Sequence, residues 1–401
     1  MAQIDFDLIV VGGGMVGASL ACALKNTSLK IAIIEAFEPN STQQPSYDDR
    51  GIALAYGSQR IFESMGLWHQ LAAHSTEISD IHVSDRGHFG VTRLSAEKEN
   101  VPALGQVLTA RSMGQVLNHT LSQQNNLDTI CPTSVISLKQ HDDHVELILN
   151  DDRSISAKLI VAADGAQSTI RQLLGLGALE HDYGQTAITA NISPERAHRG
   201  RAFERFTDSG PIALLPMSDK RCSLVWTVKT GDESTLLQLP ENEFLAQLQD
   251  RFGYRLGKLK QVGQRNSYPL KLIQADQAVQ QRIVLIGNAA HSLHPIAGQG
   301  FNLGLRDVAA LADVLADNTN DCGDPRLLHD YAQWRLKDQD DVIKDTSSLV
   351  TIFSNNNPIL GHLRGAALTL IDALPSAKHV LAQKSMGLNR KQPRLSRGIR
   401  L

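Results

Sequence analysis

The chain has 401 residues, 42% hydrophobic and 20% charged, with a formal net charge of −3. That length exceeds one core and predicts two domains, or one with a large insertion. The near-neutral charge excludes the basic field that nucleic-acid binding needs. Fourteen histidines form no His-x-x-x-His pair, and the four cysteines (Cys22, Cys131, Cys222, Cys322) form no Cys-x-x-Cys. The expectation is therefore no metal site, and reduced cytoplasmic thiols rather than a disulfide framework. Met1-Ala-Gln-Ile-Asp-Phe-Asp7 has two acids and no basic region, unlike a signal peptide, and no apolar run is long enough to span a bilayer.

Residues 6–24 read as a strand, a tight turn and a small-residue helix. Gly12, Gly14 and Gly17 supply the G-x-G-x-x-G spacing. The first makes the turn, the second admits a pyrophosphate, and the third lets helix and strand pack closely. A second strand, Lys30–Glu35, ends in an acid 18 residues past Gly17. Glu35 there reads as a ribose ligand, with a solvated strand end as the alternative. A polar, proline-containing loop (38–47) follows, then Asp48-Asp-Arg-Gly-Ile-Ala-Leu54, where Arg50 sits against phosphate or flavin, or else caps a helix. Residues 58–71 read as a helix ending near Gly66-Leu67-Trp68, Ile78–Val83 as a strand and Asp85-Arg-Gly-His88 as a turn.

A helix entered near Thr109 carries Arg111 in its first turn, where it reaches a pyrophosphate or stays on the surface. Val135–Leu138 and Val145–Leu149 read as a hairpin closed by Asn150-Asp-Asp-Arg153. Lys158–Arg171 is a buried strand running into a helix, which puts Asp164 and Gly165 at a strand's C-terminal edge, where open α/β sheets bind ligands. From Gln185 to Tyr268 the pattern alternates with period two, as in an antiparallel sheet, interrupted by one helix over 241–251. Ile283–Asp307 then joins a buried strand, a Gly287-Asn288 turn, a Pro295-x-x-Gly298-Gln299-Gly300 bend and a helix starting near Phe301. Such a helix start offers free backbone N–H groups and a positive dipole end to an anion. The remainder is helical. Residues 342–388 are fairly apolar and broken by Asn355-Asn-Asn-Pro358, and suit helices packed on the first domain, a dimer face or a membrane-surface contact.

The three separated elements, taken together, resemble the single-component flavoprotein monooxygenases of the para-hydroxybenzoate hydroxylase type. Within that group the chain looks like the ubiquinone-biosynthesis hydroxylases. The segments 85–88, 200–207, 210–219 and 221–226 look closest to members acting on 2-polyprenyl-6-methoxyphenol. The resemblance implies an α/β fold: a Rossmann-like βαβ FAD-binding domain (1–77, 101–181, 282–340), an inserted, mostly antiparallel substrate sheet (78–100, 182–281), and a C-terminal helical region (341–401). It also implies FAD held through Gly12, Gly14, Gly17 and Glu35, with Arg111 at the phosphates. Asp164 and Gly165 would serve both FAD and a passing NAD(P)H, and Pro295, Gly298, Gln299 and Gly300 would line the isoalloxazine. The Phe301–Asn302 helix start would lie near the ring's C2 carbonyl.

Asn288 departs from the family's usual Gly-Asp and keeps a hydrogen bond to the ribityl chain while losing the charge. NAD(P)H would act as co-substrate without its own Rossmann domain, and O2 would supply the inserted oxygen. No residue declares itself a catalytic base. His291 and His294 flank the flavin loop, where such histidines serve as helix-entry hydrogen-bonders. The sheet segments 186–228 would form the wall of an apolar channel for a polyprenyl tail. The same cofactor motifs would also serve a hydroxylase of another ring carbon or of a soluble phenol, a flavin oxidoreductase without oxygen insertion, or a flavin-bound scaffold subunit. A lipid-tailed substrate leaves open peripheral contact at the inner membrane face, a soluble ubiquinone-biosynthesis complex, and oligomerisation.

Overall fold

Apolar runs lead the chain into a parallel sheet. The computed structural model describes residues 4–38, 48–353 and 358–401. The polar loop over 39–47 and the Asn355–Asn357 break lie outside the described residues. Ile283–Leu285, Ser154–Ala162, Phe6–Val11, Ile31–Ile34 and Leu127–Ile130 pair in that order, all parallel, within an eight-stranded sheet. Such strands are covered on both faces, which is why they read as continuous Val/Ile/Leu runs. One face packs on the helices Met15–Ala23, Ala110–Ser122 and Gln299–Ala316, and Leu8, Val10, Leu117 and Leu311 are fully enclosed there. Truncating Leu311 to alanine in that core would cost about 2–5 kcal/mol.

Two local expectations change. Asn150–Arg153 does not close a hairpin between the Val135 and Val145 strands. It joins Val145–Leu149 to Ser154–Ala162, and Val145–Leu149 pairs antiparallel with both neighbours. The helix expected over 58–71, ending near Gly66-Leu67-Trp68, is two, Tyr56–Ser64 and Trp68–Ala72: the first stops before Gly66, which takes a left-handed φ of 75°, and a second short helix follows it.

The alternating segments form a nine-stranded sheet, antiparallel except where Arg201–Thr207 runs parallel to Asp80–Asp85. Its long member, Ala178–Pro194, pairs with Cys222–Lys229 on one side and Asn266–Ala275 on the other. One face is sealed by Glu241–Phe252 and by a short helix the alternation hid, Asp232–Gln238, with Phe244, Leu248 and Phe252 against Leu214 and Trp226. The opposite face looks toward the dinucleotide half. A three-stranded sheet, Gly51–Ala55, Gly105–Thr109 and Thr76–Ile78, lies alongside. Thr109 caps the helix after it by accepting the Ser112 N–H.

The first sheet resumes at Val279–Gln280, and the strand His291–Ser292 then pairs with Asn266–Ala275, so the loop that follows Gly287 is stitched to the second sheet. Pro325–Phe353, Pro358–Ala373 and Pro375–Ser385 complete the chain's helices, and residues 340–341 fall inside the first of these without a break. No helix among the described residues is long and apolar enough to cross a membrane.

Candidate functional site

The dinucleotide turn is shaped by what glycine lacks. Gly12 sits at φ 101°, and a Cβ there would stand 2.5 Å from the Ala163 carbonyl oxygen. A Cβ on Gly17 would stand 2.0 Å from the Gly12 carbonyl oxygen, so helix and turn touch only because both residues are bare. Gly14 is the N-cap of Met15–Ala23 and offers no side-chain cap, which leaves the helix's first N–H groups and dipole end for an anion. Glu35 lies beside this turn, its carboxylate accepting the Gly13 N–H at 2.6 Å and the Phe37 N–H at 2.9 Å. A carboxylate has about four lone-pair sites, so acceptor capacity remains for a ribose hydroxyl.

The second element is the loop from Gly287 to Gly300. Ala297 and Gly298 adopt consecutive left-handed conformations, φ 56° and 62°. For alanine that conformation is strained, and the surroundings must hold it. Asn302 supplies a clamp: its Oδ1 accepts the Ala55 N–H at 2.8 Å, and its Nδ2 donates to the Ala53 and Gly298 carbonyls at 2.8 and 2.6 Å. His294 is fully buried, and its Nδ1 accepts the Ile296 N–H at 3.2 Å, while burial pushes its pKa down to about 4. It is thus a neutral loop-entry acceptor.

His291 meets Asp307 at 2.6 Å, and Asp307 also accepts from Arg335 at 2.8 Å and Gln339 at 2.9 Å. Asp338 bridges Arg335 and Arg306. Burial opposes the Asp307 charge, but the His291 and Arg335 partners outweigh it and hold the carboxyl well below the usual range. This buried network bolts the loop from Gly287 to Gly300 to the helices Gln299–Ala316 and Pro325–Phe353.

Between the two sheets lies a cavity of about 500 Å³. Gly14, Met15, Val16, Gly165 and Asn288 line one end, while Pro295, Gly298, Gly300 and Phe301 form its side. Ala187, Ala213, Leu215, Val225 and Leu270 of the second sheet face them. Arg50 is also in the wall, stacked over the Tyr268 ring at 5.5 Å and paired with Asp48 at 3.1 Å. Of the sequence-derived candidates, Gly12, Gly17, Glu35, Arg111, Asp164, Gln299 and Asn302 lie outside this wall.

Arg111 pairs with Asp49 at 2.7 Å on the surface, its side chain 57% exposed. Asp164 turns into its own strand end, accepting the Ile170 N–H at 3.1 Å, and burial raises its pKa. Gln299 and Asn302 are buried behind the loop.

A residue the sequence reading passed over stands in the wall: Glu204, on Arg201–Thr207. It accepts the Ala297 N–H at 3.4 Å, and burial raises its pKa to about 7. Its signal was available in the alternation. Ala202, Glu204 and Phe206 share one face of the strand, so an acid occupies the middle of an apolar row.

A second cavity of about 240 Å³ shares Ala53, Ile78, Ile81, Glu204 and Ala297 with the first and continues beneath the last helices to Leu349, Phe353, Leu368, Ile371 and Leu381. The two together describe one room for a polar, flat group and one for an apolar chain. A flavin fits the first by a simple test. At Gly165 and Gly300 a Cβ would meet nothing within 4 Å, so open space lies against bare backbone where a ring or phosphate must approach closely.

Residues 5–346 match the family described as FAD binding domain. The chain is 37% identical over 98% of its length to the ubiquinone hydroxylase UbiL of Rhodospirillum rubrum, covering 93% of that protein. It is 32% identical over 95% of its length to the 3-demethoxyubiquinol 3-hydroxylase of Escherichia coli, covering 98% of that protein. Among solved structures, the p-nitrophenol 4-monooxygenase PnpA of Pseudomonas putida superposes with a TM-score of 0.80 at 19% identity, covering 98% of this chain and all (100%) of that one, which shows a shared fold.

Proposed function

Since the chain belongs to the family described as FAD binding domain and is an FAD-dependent monooxygenase using O2 and a reduced nicotinamide, we propose that it hydroxylates the ring of a polyprenylated phenol, 2-polyprenyl-6-methoxyphenol, in ubiquinone biosynthesis. The observation that carries this reading is the pair of joined cavities, one against the glycine-rich loop and one apolar beneath the C-terminal helices. The two relatives named for ubiquinone hydroxylation support it.

When bound, FAD supplies reducing equivalents from the nicotinamide and activates O2 for insertion into the ring. The chain's own residues do the rest. Gly12, Gly14 and Gly17 bring the helix start to the pyrophosphate, Glu35 takes the adenosine ribose, and Arg50 and Asn288 border the ring and ribityl end. Arg111, 57% exposed beside Asp49, needs a side-chain swing to reach the phosphates. Asp164 and Gln299 act by shaping backbone, while Asn302 fixes Gly298 and hence the loop against the flavin. Ala187, Ala213, Val225 and Leu270 exclude water from the substrate ring.

The tail lies in the second cavity. Outside it, Leu363 and Leu370 on Pro358–Ala373, Val380 on Pro375–Ser385 and Leu374 between these two helices are exposed, and this is the face we assign to a lipid bilayer from which the tail enters. The test is turnover by the purified, FAD-loaded protein under ¹⁸O2 with a short-tailed 2-prenyl-6-methoxyphenol and NADH or NADPH. Label in a ring hydroxyl supports the assignment. Label only with a demethoxyquinol analogue moves the reaction to another carbon, and reduced product without label overturns oxygen insertion.

A further inference from the structure

We infer that Glu204 is the residue that receives the substrate's phenolic proton, holding the hydroxyl at the junction of the two cavities. The inference rests on the hydroxylase reading above and deepens it. Of the five residues that line both cavities, Ala53, Ile78, Ile81, Glu204 and Ala297, Glu204 is the one with an ionisable side chain, and it accepts the Ala297 N–H of the glycine-rich loop. A phenol whose tail runs toward Phe353 and Leu368 must pass its ring across this point.

The charged and titratable groups around Glu204 are all otherwise directed. Its cross-strand neighbours are Ala213 and Val83. Arg201, Arg205 and His82 alternate to the opposite face of the sheet, where His82 packs on Phe203. On the flavin loop, His294 is neutral, with its pKa near 4. Across the head cavity, Arg50 and Tyr268 both engage Asp48. The tail cavity contributes no other ionisable side chain to its wall. Glu204 is therefore a carboxyl in an apolar setting, and burial alone raises its pKa to about 7, against one opposing backbone N–H.

The step balances simply. With Glu204 ionised, the phenol O–H bond breaks and a carboxyl O–H bond forms. The negative charge moves to the phenol oxygen and enriches the ring carbons that accept oxygen. When the ring carbon gains its hydroxyl it loses its own hydrogen as a proton, which restores the aromatic ring with a proton on the phenol oxygen; Glu204 gives its proton to the remaining oxygen atom of O2, which leaves as water, so Glu204 ends as it began. A base poised near the working pH is where general-base catalysis is most effective, typically worth about 10²–10⁴ in rate.

The experiment compares wild type, Glu204→Gln and Glu204→Asp as FAD-loaded proteins of equal flavin content that are fully folded at the assay temperature. In wild type, kcat for the short-tailed prenylphenol should rise with pH through a midpoint near 7. In Glu204→Gln it should fall about 100-fold or more with that limb gone, and the deficit should shrink with ring-substituted phenols whose pKa lies below 7. Glu204→Asp should keep the limb at reduced rate. A limb that persists in Glu204→Gln, or a deficit equal for ordinary and acidic phenols, would overturn the assignment.

A second readout needs no turnover: binding of the phenol against its methyl ether, followed by flavin fluorescence at pH 8. Wild type should favour the phenol at least about tenfold through a charge-assisted hydrogen bond, and Glu204→Gln should lose most of that preference. Equal preference in both proteins overturns the role of Glu204. Discrimination by wild type without hydroxylation instead sinks the substrate reading and leaves Glu204 as the phenol's partner.

Discussion

Replacing Glu204 should also change stability, in a direction opposite to most core mutations. In the folded chain its pKa is raised from 4.5 to about 7 by burial. The folded state therefore holds a proton that the unfolded chain releases at lower pH. Below about pH 4.5 both states are protonated and the residue contributes no penalty. Between there and pH 7 the penalty grows, and above pH 7 it levels off at no more than about 3 kcal/mol, from 1.36 kcal/mol per pKa unit, because Glu204 is only partly buried and borders the cavities. Glutamine keeps the shape and an acceptor for the Ala297 N–H but carries no charge. Glu204→Gln should thus melt with wild type at pH 4.5 and above it at pH 8, by at most about 3–4 °C for a chain of this size if unfolding is cooperative. Thermal melts of the flavin-free proteins across pH 4.5–8 measure this directly. Parallel melting curves at every pH would refute the claim that Glu204 is a partly buried acid with no cation beside it among the described residues.

Asp307→Ala should destabilise by about 3–5 kcal/mol, since it leaves the buried Arg335 and His291 without their shared carboxylate. Asp307's pKa is depressed, so its contribution is complete above about pH 4 and lost only on further acidification. Melts of this variant should parallel wild type from pH 5 to 8 and converge on it only below pH 4. Gly17→Ala should abolish FAD retention at purification, because its Cβ would meet the Gly12 carbonyl oxygen at 2.0 Å, and flavin-to-protein absorbance ratios check this. Leu368→Trp should fill the second cavity, raising KM for long-tailed substrates severalfold while sparing a tailless phenol. Arg111→Ala should shift stability by less than about 1 kcal/mol, as its pairing with Asp49 is exposed; a loss of FAD affinity in that variant would show that the side chain swings to the phosphates.

The α/β plan was legible because its signals are local. Buried parallel strands are long apolar runs, and the turn after Val11 admits no side chain at Gly12 or Gly17. The helix end near Gly66 was legible from the glycine, whereas the short second helix Trp68–Ala72 was not, because helical periodicity carries across two short helices when both bury one face, as Ile61, Phe62 and Leu71 do. The pairing of Val135–Leu138 with Val145–Leu149 was legible, but the turn Asn150–Arg153 was assigned to the wrong side, because Val145–Leu149 pairs antiparallel with both neighbours and a turn does not say which of them it serves. The joined cavities were not visible at all, since their walls come from segments as distant as Ala53, Glu204 and Leu381. Glu204 shows the intermediate case: its face could be read from the strand's alternation, but its lack of a cation could be seen only with every neighbouring element in place.

Glu204 and the flavin loop are linked through backbone, and this sets how tightly the proton acceptor is aimed. The Ala297 N–H can point at Glu204 only while Ala297 and Gly298 hold their left-handed conformations. Asn302 holds Gly298 from below, and the Asp307–His291–Arg335 network holds the loop's entry from behind. A non-glycine residue in the left-handed region costs of order 1–3 kcal/mol, which a rigid support of this kind can sustain. The same supports press the loop's glycines against the cavity, so the surface that would carry the flavin ring and the N–H that meets the proton acceptor move as one body. Relaxing Ala297 to glycine would therefore ease the backbone yet loosen both alignments together, and a Glu204 carboxylate free to rotate would bring less of its basicity to the phenol.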